Sequence, residues 1–517
     1  MKNFKVLSLC LLMGHSAFAQ TSVTDLSAPL SVDAAQTEGK ISEYLTGGHF
    51  VYGFENDTLY QDERISDWMK ECKTKTIRWP GGTAVQTYHW DDLNGIAFKA
   101  DTWKPGYNGG YRDSVCFMDL DEYIAFCRKI GAEPMVGINI QSGNKYKGEG
   151  KGLEGSLEEA RRLIQYCKDK DYQVKNWYIG NECYIMFRKE NYIKYADFID
   201  RYAAVLRSVD PDINVIGDWQ FGGRLDQIVN IIRKSKEINM MEIHEKWGNG
   251  FGMASGNTFE DWKKEYPIYK GNLGKYIERL RDSLQVMGRD DVKIAMNEWG
   301  LSGKSYPDGD EFKCGLIAAD FLMELFRHRV DMACYWNFNM GSADSRILKV
   351  KTDTITDGAS TRLERISPVG NAFTLLATAM GKQLVNFTTP LNPVYGFAAV
   401  DEEKSTMDVY LLNKSEEEVV MPLQIQNMGN THLMTQYCYA EPGLVKEKIY
   451  EKGDLNMVLP ALSFSHFVIA ASEATHIDEV KAEEYQQSDL IFDFGGHRVL
   501  HPEKGVYIVN GKKILVK

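Results

Sequence analysis

The sequence predicts an α/β protein, a (β/α)8 TIM barrel followed by a C-terminal β-sandwich, and three observations carry that expectation. Eight short apolar, β-prone runs alternate with amphipathic stretches between about residues 41 and 345. No Gly-rich phosphate turn follows the first run, which argues against an open doubly wound sheet. After about residue 370 the texture changes to alternating strands such as "TMDVYLLNK" and "SFSHFVIAAS", separated by turns.

The eight runs are "HFVYGFE" (49–55), "TKTIRWPGG" (74–82), "EPMVGINI" (133–140), "VKNWYIGNE" (174–182), "INVIGDW" (213–219), "MMEIHEKW" (240–247), "VKIAMNEWG" (292–300) and "MACYWNF" (332–338). Helical spacing fills the intervals. "SLEEARRLIQYCKDK" opens with a Ser156/Glu159 capping box, and "YIKYADFIDRYAAVLRSVD" places Tyr195, Phe198, Ile199 and Tyr202 on one face. At 517 residues the chain exceeds what one core usually holds. The expected division is a signal peptide over 1–19, a segment over 20–40 that adds a strand to the sandwich, the barrel over 41–370, the sandwich over 371–472, and a linker and tail over 473–517.

The signal-peptide expectation rests on Lys2 and Lys5 before the apolar run Val6 to Met13, with Ala17-Phe18-Ala19 as a small-x-small cleavage site. It predicts an exported protein, periplasmic, at the outer surface or secreted. No later run reaches the roughly 18 apolar residues of a membrane span. A formal net charge of −12 disfavours nucleic acid and anionic membranes as partners and fits a neutral substrate. Cysteines beyond the leader form no CxxC pair and read as small buried residues. In the tail, "GVYIVNGKKILVK" reads either as a C-terminal sorting signal or as a hairpin turning at Asn510-Gly511.

TIM-barrel chemistry sits at the C-terminal ends of the strands. Two runs end on the same pair there, Asn181-Glu182 on the fourth and Asn297-Glu298 on the seventh. A desolvated carboxylate at a strand end needs a partner or a raised pKa. Two of them facing one pocket suit glycoside hydrolysis, in which one acid protonates the leaving oxygen and the other attacks or activates water.

Through "IRWPGGTAVQTYHWDD", "DEYIAFCRKIGAEPMVGIN", "WYIGNE" and "NEWG", the chain resembles the retaining glycosidases with strand-4 and strand-7 glutamates, and among them the family 51 α-L-arabinofuranosidases. The resemblance implies Glu182 as acid/base and Glu298 as nucleophile. Beside it, Arg78 is expected to keep Glu298 ionised while Glu182 stays protonated, and Asn181 to offer its amide to a sugar hydroxyl. Glu55 resembles the family's sugar-hydroxyl acceptor. Thr83 stands where the family has an asparagine, His244 matches its strand-6 histidine, and Lys246 follows where an aromatic is usual. Of the strand-end tryptophans Trp79, Trp247, Trp299 and Trp336, the last is the expected sugar platform, the others core.

"HEKWG" lacks the second histidine of a zinc-binding HExxH, so neither metal nor cofactor is expected. The expected function is a retaining α-L-arabinofuranosidase acting on plant polysaccharide side chains. The alternatives are a β-xylosidase, β-glucuronidase, endoglucanase or agarase-like enzyme of the same clan, or a surface protein that binds glycans without cleaving them.

Overall fold

The computed structural model describes residues 23–25, 30–52, 58–86, 88–90, 118–141, 152–187, 191–220, 224–248, 258–301, 310–339, 345–352, 361–389, 392–429, 431–471, 478–480, 491–493, 499, 505–509 and 512–516. Eight parallel strands close into a barrel: β1 (Gly47–His49), β2 (Thr76–Trp79), β3 (Glu133–Ile138), β4 (Asn176–Ile179), β5 (Asn214–Gln220), β6 (Met240–Trp247), β7 (Lys293–Leu301) and β8 (Met332–Tyr335). Closure is made by β8 pairing with β1, Cys334 opposite Gly47. A principal helix follows each strand: α1 (Glu63–Glu71), α2 (Leu120–Ile130), α3 (Gly152–Asp169), α4 (Tyr192–Val209), α5 (Leu225–Lys234), α6 (Asn272–Val286), α7 (Glu311–Arg327) and α8 (Gly370–Ala377).

Local sequence explains these elements. An Asp119/Glu122 capping box opens α2, and Gly131, at φ 75°, ends it in the left-handed conformation that glycine adopts without a Cβ penalty. Tyr195, Phe198, Ile199 and Tyr202 of α4 are buried, as their spacing predicts. Helix α7 is apolar nearly all round and buried from Cys314 to Phe326, because it lies between the barrel and the second domain. A buried ion pair, Lys414 Nζ to Asp320 Oδ2 at 2.5 Å, crosses the same boundary. Removing either partner alone would leave an uncompensated charge.

The second domain is a ten-stranded, mostly antiparallel sheet wrapped around its own core of residues such as Val409, Met421, Met457 and Phe467. Leu30–Lys40 runs within it, antiparallel to Gln383–Thr388 and parallel to Glu418–Gln426. Near the C-terminus, Gly505–Val509 and Lys512–Val516 pair antiparallel on either side of Asn510-Gly511, the geometry of a hairpin. Seven cysteines among the described residues are buried and unbridged. No helix among the described residues is long and apolar enough to cross a membrane.

Two local expectations are corrected. The first barrel strand is the glycine-rich Gly47–His49 rather than 49–55. A Cβ on Gly48 would lie 2.0 Å from the Phe338 ring, so close packing from the segment after β8 selects glycine where pattern reading looks for bulk. Ser156 and Glu159 do not cap a helix, since α3 already begins at Gly152. The Ser156 hydroxyl donates to the Asn139 carbonyl, and Glu159 pairs with His89 at 2.9 Å.

Inside the barrel, Val85, Met135, Tyr178, Ile216, Met240, Ala295, Met332 and Cys334 form a compact apolar layer. Two residues further along several strands, the inward positions turn polar: Asp218 above Ile216, Glu242 above Met240, Asn297 above Ala295, with Arg78 of β2 beside them. Strand periodicity thus sets an ionic layer on an apolar floor.

Candidate active site

Glu182 and Glu298 meet above that layer. One carboxylate oxygen of each and a ring nitrogen of His244 lie within 4.8 Å of one another. They arrive differently. Glu182 follows β4 at a turn, with Gly180 at φ 81° and Glu182 itself at φ 46°, a left-handed conformation costly for a residue with a Cβ. Glu298 sits within β7, where pairing with β6 slips by one residue between Ala295 and Glu298. Such a bulge re-aims a side chain, and here it turns Glu298 inward directly after Asn297.

The carboxylates share a cationic environment. His244 Nδ1 is 3.6 Å from Glu182 Oε1 and 3.5 Å from Glu298 Oε2, and its Nε2 is 3.5 Å from Glu242 Oε1. Lys246 Nζ is 2.5 Å from Glu298 Oε1. Burial works to raise both glutamates. Against it, His244 first and Lys246 next hold Glu182 down at about 2. Lys246 first and His244 next keep Glu298 below the usual carboxylate range. Burial opposes charge on His244 too, but Asp218, Glu298, Glu182 and Glu242 together raise its pKa well above normal.

Beneath the pair, the Arg78 guanidinium is fully buried, 2.7 Å from Glu242 Oε1 and 3.0 Å from Asn181 Oδ1, and stacks on Tyr178 at 3.9 Å from the ring centroid. Asn297 Nδ2 donates to Glu242 Oε2 at 2.9 Å, and His49 Nε2 donates to the Asn297 carbonyl at 2.5 Å. The Asn181 carbonyl accepts from Gln86 Nε2 at 2.5 Å. Because Arg78 can only donate, it fixes the Asn181 oxygen inward and leaves the amide nitrogen as the outward donor.

The structure therefore brings Asn181, Glu182, His244 and Glu298 together, with Arg78 as a support below them. Arg78 is not the counterion of Glu298, because Glu242 claims it; Lys246 takes that place. Nor is Glu182 the poorly paired acid expected from sequence, since His244 beside it holds its carboxyl down while the surrounding carboxylates raise His244. Trp336 is half-buried and flanks Lys246, whose Nζ is 4.8 Å from its ring centroid. Gly82, at φ 50°, leaves room for that ring, because a Cβ there would lie 2.5 Å from it. Trp79, Trp247 and Trp299 are buried core residues. Thr83 is exposed on the turn after β2, and Glu55 lies outside the described residues.

Sequence reasoning missed Glu242 and Asp218, and read Lys246 only as a departure. The signal was present in "MMEIHEKW", where Glu242, His244 and Lys246 alternate at period two and so share the barrel's inner face. By spacing, Glu182, His244 and Glu298, or Asp218, Glu242 and His244, could hold a metal ion. The Arg78 and Lys246 cations already compensate Glu242 and Glu298, which leaves little net negative charge to attract one.

Comparison with known proteins finds relatives in sequence and in fold. Residues 68–245 match the family model described as an alpha-L-arabinofuranosidase 1 domain. The chain is 24% identical over 339 residues to an intracellular exo-alpha-L-arabinofuranosidase of Bacteroides ovatus, covering 56% of this chain and 61% of that one. It is 20% identical over 445 residues to an intracellular exo-alpha-(1->5)-L-arabinofuranosidase of Acetivibrio thermocellus, covering 74% and 80%. The chain spans 32% to 61% of the length of the first three curated relatives that it matches. The fold is that of the family 51 α-L-arabinofuranosidase of Thermotoga petrophila, with a TM-score of 0.62, 19% identity, and coverage of 86% of this chain and 100% of that one.

These relatives correct one expectation. Both bacterial proteins are named intracellular, which overturns the export inferred from residues 1–19. An eight-residue apolar run behind two lysines is a short compositional signal, and residues 1–19 lie outside the described residues.

Proposed function

We propose that this chain, a family 51 arabinofuranosidase-like glycoside hydrolase, is a retaining α-L-arabinofuranosidase acting on the side chains of plant polysaccharides by double displacement. One observation carries the reading: glutamates at the mouths of β4 and β7 bring carboxylate oxygens within 4.8 Å of each other. Retaining enzymes need carboxyl groups about 5–5.5 Å apart, whereas inverting enzymes leave roughly 6.5–9.5 Å for a water molecule.

Glu298 is the nucleophile, kept ionised by Lys246 and His244. Glu182 is the acid/base, 26% exposed where Glu298 is 5%, and thus nearer to the departing group and to water. Its proton is drawn from His244, so the two residues act as one proton store. Asn181, its oxygen anchored by Arg78, offers its amide to a sugar hydroxyl near the reacting carbon. Trp336 is the stacking face for the sugar.

A panel of aryl glycosides of arabinofuranose, xylose, glucuronate and glucose tests the substrate. Turnover of the arabinofuranoside above the rest, with the product's first-formed anomer matching the substrate by NMR, is the expected result. Turnover of another member alone would move the chain to a same-clan specificity. No turnover on the panel or on polysaccharides, together with tight glycan binding, would sink the enzyme reading.

A further inference from the structure

Lys246 reaches from the C-terminal end of β6 to Glu298 and holds Oε1 at 2.5 Å. The other oxygen, Oε2, has no hydrogen-bond partner among the described residues and faces the His244 ring at 3.5 Å. One oxygen is anchored and the other is free to attack. The Lys246 side chain is 22% exposed and its ammonium lies over Trp336, so water screens it only in part.

A fixed cation on a nucleophilic carboxylate acts unequally along a double displacement. It stabilises the anion before attack and again as that anion leaves, but it faces a neutral ester between the two events. Resting on the assignment of Glu298 as nucleophile, we infer that Lys246 is a positioning residue that sets the partition of the reaction, restraining attack and driving hydrolysis of the glycosyl-enzyme. In the first step a lone pair of Glu298 Oε2 bonds to the anomeric carbon. The bond from that carbon to the leaving oxygen breaks, its electron pair goes to that oxygen, and a proton passes to it from His244 by way of Glu182. In the second step a water oxygen bonds to the carbon and gives its proton by way of Glu182 back to His244, while the pair of the ester bond returns to Glu298. The charge restored on Glu298 meets the waiting ammonium.

The other charges around Glu298 do not substitute for it. Arg78 is committed to Glu242, and Glu182 repels. His49 is buried and held neutral, its pKa pushed well down by burial and Arg78. Tyr178 and Tyr184 are kept protonated, their pKa values raised by burial. His244 is divided among Glu182, Glu242 and Glu298. Lys246 alone among them makes a hydrogen bond to the Glu298 carboxylate among the described residues.

The test uses full-length wild type, Lys246→Met and Lys246→Arg. In proteins labelled with carboxyl-¹³C glutamate, with the Glu298 signal assigned from Glu298→Gln, Lys246→Met should raise the Glu298 titration midpoint by at least about one pH unit, a tenfold change in its ionisation constant. Lys246→Arg should stay near wild type. On 4-nitrophenyl α-L-arabinofuranoside, or whichever panel glycoside turns over, Lys246→Met should keep its nitrophenol burst and lose about tenfold in steady-state rate. A covalent sugar on the Glu298 peptide should accumulate, and Lys246→Arg should restore turnover. An unmoved Glu298 midpoint overturns the inference, as do burst and steady-state rates that fall by one common factor with no adduct. A wild type inert on the arabinofuranoside but active on another sugar counts against the substrate reading only.

Discussion

Glu182 and Glu298 each follow an asparagine at the mouth of a barrel strand, yet the fold treats the two dipeptides differently. Asn181-Glu182 lies past the end of β4, where a glycine and a left-handed backbone turn Glu182 toward solvent and toward His244. Asn297-Glu298 lies inside β7, where a bulge aims both side chains inward, one onto Glu242 and the other onto Lys246. One glutamate is exchangeable with water and shares a proton, and the other is enclosed and pinned as an anion. Identical residue pairs acquire opposite chemistry from backbone geometry and from the cation each receives.

The largest expected effect comes from breaking the enclosed member. Glu298→Ala should lower kcat by about 10⁴-fold or more on any good substrate. Glu182→Ala should cost about 10²–10⁴-fold where the leaving group needs a proton, and far less on a 2,4-dinitrophenyl glycoside that leaves unaided. Equal losses on both substrates would remove the distinction between the two residues.

Next comes the support that the two sites share. Arg78→Met removes the nearest cation from the buried Glu242 and leaves it only a share of His244, which should cost about 3–5 kcal/mol in urea unfolding. Arg78→Met combined with Glu242→Leu should recover much of that loss. Without such recovery the pair is not the unit that the 2.7 Å contact implies.

A pH-dependent effect separates the floor of the site from its mouth. Burial raises the Asp218 carboxyl from 3.8 to about 7, with Glu242 adding to the rise and His244 and Arg78 opposing it. Between those two values the folded protein binds a proton that the unfolded chain releases. Asp218 therefore contributes stability at and below about pH 4 that is lost as pH rises through about 7. Asp218→Asn should gain on wild type in the free energy of urea unfolding across that interval, by up to a few kcal/mol. A constant difference from pH 4 to 7 would show that Asp218 titrates as an ordinary carboxylate.

The smallest effect is also the most local. At Glu182, with φ 46°, the glycine variant should be more stable than the alanine variant by about 1 kcal/mol. At Glu298, within a strand, the order should reverse, alanine exceeding glycine by roughly 0.5–1 kcal/mol. Thermal unfolding of the four variants reads this directly.

Much of this arrangement is legible in the amino-acid sequence. Parallel strands buried on both faces leave continuous apolar runs, and these locate the later strands of the barrel closely. The first strand is displaced because Gly47 and Gly48 are chosen by the crowding of Phe338 and Thr76, which no local pattern records. The two glutamates stand out by recurrence at strand ends. Pairing across the barrel is not legible in the same way: Arg78 could serve either Glu242 or Glu298, and only the register of β2 against the opposite wall decides between them. Lys246 looks like a lost aromatic until its place above His244, on the inner face of β6, sets it against Glu298.

Rescue by an external nucleophile tests the division of roles most directly. Azide added to Glu298→Ala, with an activated aryl glycoside, should restore turnover and give a glycosyl azide of inverted configuration, because azide occupies the space of the missing nucleophile. Azide added to Glu182→Ala should instead give the azide of retained configuration, by attack on the glycosyl-Glu298 intermediate. An inverted product from Glu182→Ala and a retained one from Glu298→Ala would contradict the assignment and exchange the two residues' roles.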